Sequence, residues 1–520
     1  MDLNLIKDHI EYEQSIAQND TKMFIKEEYV IPDTLPDVDN ILMLDVKPMI
    51  TNKEVGTDRV NVGCQLQYTI LYMAKEGGAT EAHSVIYNGN RSETIDMMGA
   101  QQNMYCDIEL NIEHMDCVII NERKIAIQGF IVCQCNGYNI NSFEIIKDVH
   151  EGKDIEFLKN PMTLDKVMEP IETELIGKAE MKIDMDKNEC LKVIKYNVCI
   201  GKKEVRLSDG GLKIEAVANV SILYKGRNGR ELFCISENVP LYKEVTIDEL
   251  KPNMEYFTDF CVQSFEHDIR QDDMGENRVI DIEFMVKATT HVMYKDEVEV
   301  IQDGYCPTKL LTMDSKENNI NVIQGHGYNE CLVKDDIDIK DDNIKPNKVI
   351  MTTGTVNIND KIIKNDKVEV EGLLKVCVLY STEDEEDYII NLEQDIPFSC
   401  KVDIEGAKPN MQVDASVSLE MIEGNLEAGN ISIRAVIKVH CKVYYTVKNK
   451  FIVDMSINEG EVPAKKASVI IYVVQPEDTL WSIAKKYLTT VAEIVKINDL
   501  DDGEDIKPSQ KLIIPGRAII

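Results

Sequence analysis

Two cysteines separated by one residue, Cys133 and Cys135 in IVCQC, are the closest pair of cysteines in a chain of 520 residues. Alternate side chains of a strand share a face, so such a pair could begin a thiolate metal site or a redox couple. A closed zinc site needs four ligands, and no CxxC or neighbouring histidine supplies the rest. The pair therefore reads as small apolar core residues. The fourteen cysteines are scattered mostly singly, so the sequence predicts reduced thiols without bridges. HMDC, from His114 to Cys117, is an isolated match with no further ligand. His326, between Gly325 and Gly327, reads as marking a turn, with no serine or cysteine nucleophile placed beside it. IGKKE from Ile200 lacks the glycine spacing that cradles phosphate. Carboxylates are so frequent that pairs arise by chance, and EDEED, from Glu383 to Asp387, reads as a solvated hairpin tip. No catalytic residue, metal ligand or cofactor is expected, and the chain reads as a non-enzymatic protein.

The rest of the composition narrows the class. Asp and Glu outnumber Lys and Arg by 92 to 57, a net charge of -35, which opposes binding to phosphate backbones and excludes nucleic acid as an expected partner. No run of about eighteen apolar residues predicts a transmembrane segment. The opening MDLNLIKDHIEYEQ has acidic residues where a secretion signal would be apolar, so a cytoplasmic location is expected.

The elements that organise the chain recur three times. VNVGCQLQYTILY (Val60–Tyr72), LKIEAVANVSILY (Leu212–Tyr224) and VEVEGLLKVCVLY (Val368–Tyr380) each alternate apolar or small residues with others. That period of two marks a long, half-buried strand, with a small residue at the third alternate place (Cys64, Ala216, Gly372). KPNM follows at Lys251–Met254 and Lys408–Met411, with QQNM ending at Met104 in the first copy. A second alternating run closes each unit: KIAIQGFIVC from Lys124, RVIDIEFMVKA from Arg278 and NISIRAVIKVHC from Asn430. Acidic stretches, notably KDDIDIKDD (Lys334–Asp342), read as connections between units.

The C-terminal stretch is different. VIIYVV from Val469 is an apolar strand, and Asp478 reads as the N-cap of a first helix. Leu480, Ile483, Ala484 and Tyr487 form its inward stripe; Val491, Ile494 and Val495 do so for a second helix, which Thr490 and Glu493 open as a capping box. KLIIP (Lys511–Pro515) supplies a second strand. Trp481, the only tryptophan, lies one residue, about 100°, off the inward stripe. It is predicted to be partly exposed and suits an interface anchor.

The opening IPDTLPDVDNIL at Ile31, the strands ending in ILY or VLY, and IPFSCKVDIEGAKPNM from Ile396 resemble the SPOCS (DUF3794) repeat of spore-coat assembly proteins. YVVQPEDTLWSIAKKY, IVKINDL and IKPSQKLIIP resemble a LysM domain. The expected fold is mainly β: three tandem β-rich repeat domains followed by a small α+β (βααβ) LysM domain. The expected boundaries are an N-terminal segment 1–30, repeats over 31–150, 165–306 and 330–457, a linker 458–467 and LysM over 468–517.

The resemblance implies an adaptor in endospore coat assembly, in the mother-cell cytoplasm at the forespore surface. Its implied partners are a SpoIVA-like coat ATPase and other spore coat proteins. The expected partner-binding residues are Trp481, Asp478, Thr479 and Leu480. LysM domains bind N-acetylglucosamine-containing glycans, and by position Asp478, Thr479, Leu480 and the segment from Asp501 to Ile506 would line that groove. Peptidoglycan or its lipid-linked precursor is therefore the alternative ligand. Glu477 and Ser509 stand where the family pattern has glycine, and glycine is what lets backbone approach a ligand closely.

Overall fold

The structure, a computed structural model, describes residues 3–515 apart from 77–78, 103, 151–154, 228–229, 340–344, 385–387, 428, 459–468 and 501–505. Residues 459–467 of the linker read at 458–467 and part of EDEED therefore lie outside the described residues, while Asn458 ends a strand. Strand makes up 77% of the chain and helix 3%, so the mainly-β fold class holds.

Each repeat is a sandwich of two antiparallel sheets. In the first, β1 (Asn4–Val30), β6 (Lys124–His150) and β5 (Tyr105–Asn121) form one sheet in the order β1-β6-β5, and β2 (Asn40–Gly56), β3 (Arg59–Glu76) and β4 (Ala79–Asp96) form the meander that faces it. The second repeat has β7 (Glu156–Val167), β8 (Ile171–Lys182), β9 (Cys190–Ser208), β10 (Gly211–Gly226), β11 (Leu232–Thr246), β12 (Glu255–Arg270) and β13 (Val279–Tyr305). Here β9-β10-β11 is the meander, while β7 and β8 both pair with β13, end to end. The break at Met168–Pro170 follows from proline's missing N–H, which cannot join a ladder. The third repeats the first: β14 (Leu310–Ile337), β15 (Pro346–Lys364), β16 (Lys367–Thr382), β17 (Ile389–Asp403), β18 (Gln412–Glu427) and β19 (Asn430–Asn458). Its sheets run β14-β19-β18 and β15-β16-β17.

The alternation in β3, β10 and β16 does what the sequence predicts. Val60 to Tyr72, Leu212 to Tyr224 and their counterparts in β16 bury the alternate residues inside their own sandwiches. Tyr72 and Tyr224 close those cores with the ring and donate their hydroxyls to the carbonyls of Pro36 and Asn188 in the loops overhead. Gly372 is small by necessity: a Cβ there would stand 2.2 Å from the Asn357 carbonyl and 2.6 Å from the Phe398 ring. The turns before these strands match across the chain. Asp58, Gly210 and Asp366 all adopt left-handed backbone, and their N–H groups donate to Ala100, Leu250 and Ala407.

Three expectations change. The segment 1–30 contains β1, which pairs with β6 along its length and completes the first sandwich. KDDIDIKDD begins inside the third repeat rather than between repeats: Lys334–Ile337 end β14, paired with Ile431–Arg434 inside the third sandwich, and 340–342 lie outside the described residues. His326 is not at a turn. It sits within β14 opposite Lys442, beside a register shift between Ile323 and Gly325, so its flanking glycines serve an irregular strand.

The three sandwiches pack around a common centre, which the sequence pattern left open. Leu71, Leu223 and Leu379, each one residue before the closing tyrosine, point away from their own sandwich and meet in a shared core with Met43, Ile194 and Met351. At the other end the long strands converge. Ile145, Val300 and Phe451 form one shared cluster, and Ile146, Ile301 and Ile452 another. The chain is thus a threefold pseudo-symmetric ring closed at two levels by apolar contacts. Between them lies a cavity of about 2140 Å³ lined by all three repeats.

Candidate functional site

The C-terminal module has strand β20 (Val469–Val473), helices α1 (Leu480–Tyr487) and α2 (Val491–Ile497), and strand β21 (Lys511–Pro515). Ile483, Ala484 and Ile494 are its buried helix residues, with Leu480, Tyr487 and Val491 packed on the same core. The cap of α1 differs from expectation. Thr479, not Asp478, is the N-cap: its hydroxyl accepts from Ser482 N–H, and the Ser482 hydroxyl accepts from Thr479 N–H. Asp478, one residue earlier, instead accepts from Gln475 N–H and the Tyr472 hydroxyl, both at 2.7 Å. Those two bonds hold its carboxyl below the usual carboxylate range. Thr490 does cap α2, but Glu493 does not complete a capping box; its carboxylate accepts from the Thr489 hydroxyl at 2.5 Å.

The two loops of the expected groove lie side by side, joined by Val474 N–H to Gln510 and Ser509 N–H to Val474. Leu480 and Ile506 pack against one core, and Asp501 is outside the described residues. Glu477 and Ser509 both have left-handed backbone, with φ of 73° and 72°. Glycine would take this conformation at little cost, which explains why a glycine suits these positions. Asp478 Oδ2 and Thr479 Oγ1 already accept hydrogen bonds from neighbours within the module.

Trp481 is half-buried, and its outer side is not open. The indole Nε1 donates to Asp303 Oδ2 at 3.0 Å, and Lys485 Nζ reaches both Asp303 oxygens at 2.6 and 2.7 Å. Tyr305, at the end of β13, meets the indole edge-on with centroids 5.0 Å apart, and its hydroxyl donates to the Thr489 carbonyl at 2.7 Å. Tyr305 is 5% exposed and forms part of the module's own core. The module is therefore seated on the second repeat.

The model for the SipL SPOCS domain matches residues 37–120, 189–270 and 345–427, and that for the LysM domain matches 472–515. The chain carries three SipL-type SPOCS domains and one LysM domain. No solved structure matches it. Each SPOCS match covers the meander and the strand after it, from β2 through β5, β9 through β12 and β15 through β18. The long strands β6, β13 and β19 lie beyond the matches, yet they are the strands on which β5, β12 and β18 pair. The SPOCS sandwich is thus larger than its matched segment.

SPOCS and LysM domains are non-catalytic binding or adaptor domains, and they connect the chain to sporulation and to binding. Among the described residues no cluster of three or more His, Cys, Asp or Glu could hold a metal ion, and no helix is long and apolar enough to cross a membrane. Cys133 and Cys135 are fully buried in the first SPOCS sandwich, where burial pushes the Cys133 thiol up to about 11. His114 pairs with Asp116 at the surface, at 2.7 Å, and its ring stands 6.5 Å from that of Phe130.

The cavity on the pseudo-threefold axis was not visible in the sequence. The Phe257 ring is stacked on His291 and His440, at 4.5 and 4.9 Å, and His326 is 5.8 Å from His440. Burial and the surrounding cations drive His440 down to about 4, so it is neutral at pH 7. Glu109 and Asp259 occupy corresponding places on β5 and β12. Burial and the neighbouring Glu109 and Asp107 push the Asp259 carboxyl up to about 6. Phe257 and His291 are register partners within the second repeat, whereas His326 and His440 belong to the third, so the Phe257–His440 stack exists only because the repeats meet.

Proposed function

We propose that this protein is a non-enzymatic adaptor of endospore coat assembly that works in the mother-cell cytoplasm at the forespore surface. In this reading the LysM domain binds a SpoIVA-like coat ATPase, with Trp481, Asp478, Thr479 and Leu480 in the contact, and the SPOCS ring presents surfaces to other coat proteins. The observation that carries it is the pairing of a SPOCS ring with a LysM domain whose groove residues depart from what a sugar site needs. Glu477 puts a charged side chain on a left-handed corner where the family pattern has glycine, and Asp478 Oδ2 and Thr479 Oγ1 already accept bonds within the module. Such a rim favours a protein surface, where an aromatic anchor and apolar area supply the binding energy. Multivalency along the ring would add avidity for further partners.

The second reading is that the LysM domain binds peptidoglycan or its lipid-linked precursor, which the domain match itself supports. Co-purification of the ATPase with the full chain, with a chain ending at Asn458, and with Trp481→Glu tests the first reading. Capture by the full chain alone supports it. Capture by all three, together with saturable binding of N-acetylglucosamine oligomers to the full chain, supports the second.

A further inference from the structure

The three SPOCS repeats share one feature at the end of their long strands. Asp148, Asp303 and Asp454 lie at matching irregularities of β6, β13 and β19, and each accepts the N–H of the next residue. Two residues further on the repeats diverge, to His150, Tyr305 and Ser456. Only the second therefore combines the scaffold aspartate with an aromatic ring and a hydroxyl. That combination receives the LysM domain: Asp303 takes Trp481 Nε1 and Lys485 Nζ, while Tyr305 takes the indole edge and the Thr489 carbonyl. The seat fixes both ends of α1.

We propose that this seat is an autoinhibitory latch: Asp303 and Tyr305 occupy the same Trp481 face that the partner of the LysM domain uses, so partner binding requires the module to leave the second repeat. The inference rests on the reading that the LysM domain binds the coat ATPase through Trp481. The indole offers one N–H, and in the closed form it is spent on Asp303. A partner that seeks the same donor and ring face must displace a charged carboxylate and a packed tyrosine. The apparent affinity then falls by the fraction of molecules whose latch is open. The latch keeps the adaptor weak until a partner at high local concentration, as on a surface already coated with the ATPase, pulls it open.

Because Trp481 is the only tryptophan, its emission reports the latch directly in the full chain. Asp303→Ala, Tyr305→Ser and the milder Lys485→Ala should shift the emission to the red and raise its quenching by acrylamide, with an unchanged strand signal in circular dichroism. The same variants should bind the purified ATPase more tightly, by roughly tenfold for Asp303→Ala if the closed form dominates about ten to one. A red shift with unchanged or weaker ATPase binding would overturn the latch as a regulator, and so would the absence of any shift in all three variants. If neither wild type nor variants bind the ATPase while the emission still shifts, the ATPase reading itself fails and the regulatory inference goes with it.

Discussion

Leu223 and Tyr224 are consecutive in β10 and fully buried, yet they belong to different cores: Tyr224 to its own sandwich and Leu223 to the centre where three repeats meet. The same division separates Leu71 from Tyr72 and Leu379 from Tyr380. A strand that reads as half-buried is thus buried on both faces at its end. Truncating Leu71, Leu223 or Leu379 to alanine should cost about 2–5 kcal/mol each, the range for a fully buried leucine. Val118→Ala, at 45% exposure, should stay within about 0.5 kcal/mol. Urea unfolding of the full chain measures both, and equal small losses would show that the repeats do not share a core.

A buried ion pair borders the shared core. Lys195 lies where the first and third repeats have Met43 and Met351, opposite Leu223, Leu71 and Leu379 respectively. Its Nζ stands 2.9 Å from Asp45 Oδ1, so the pair joins repeats one and two. Against burial, Lys195 and Lys47 hold the Asp45 carboxyl below its usual range. Lys195→Met should cost about 3 kcal/mol, because the buried Asp45 loses its hydrogen-bonded cation, while Lys195→Met with Asp45→Asn should recover most of the loss. The depressed carboxyl gives a further sign. Its stabilisation is present above the ordinary aspartate value and is lost as pH falls through the folded value. An acid titration of stability should therefore be shallower in the double variant than in the wild type.

Asp259 works in the opposite direction. Its carboxyl is raised to about 6, so between its unfolded value and 6 the folded state binds more protons, and stability falls as pH rises across that window. Asp259→Asn should be more stable than the wild type at pH 7, by ~1 kcal/mol after allowing for water in the cavity. The gain should vanish below about pH 4, where both states are protonated. Denaturant midpoints at pH 4 and pH 7 decide this, and a loss of stability at pH 7 would contradict it.

Glu477 and Ser509 carry backbone strain in the LysM domain. Glu477→Gly and Ser509→Gly should each stabilise the module, by about 0.5–1 kcal/mol once glycine's extra entropy in the unfolded chain is counted. Thermal unfolding followed through Trp481 fluorescence would show the rise. If the glycines also confer binding of N-acetylglucosamine oligomers that the wild type lacks, the departure at these positions has a functional as well as a conformational effect.

The repeats were legible because a period of two in thirteen residues, ending on the same tyrosine, leaves few alternatives to a core strand. LysM was legible because helical stripes and two flanking strands agree within about fifty residues. What stayed hidden depends on contacts between distant segments. The leucine beside each closing tyrosine is a single apolar residue on an outward face and carries no period of its own. Gly325 and Gly327 around His326 signal a turn locally, but a register shift uses glycine equally well. Asp478 and Thr479 are both good cap residues, and the choice of Thr479 is made by the Tyr472 hydroxyl and Gln475 N–H, which claim Asp478 first. The seat of Trp481 involves Asp303, 178 positions away in sequence, and no local pattern announces it.

The central claim is that the LysM domain of this ring binds a coat ATPase. The direct measurement is calorimetric titration of a purified SpoIVA-like ATPase into the full chain and into a chain ending at Asn458. The account predicts saturable binding to the full chain and its loss in the shorter one, with Trp481→Glu behaving as the shorter chain. Equal affinity for the full and shortened chains would contradict it and place the ATPase contact on the SPOCS ring.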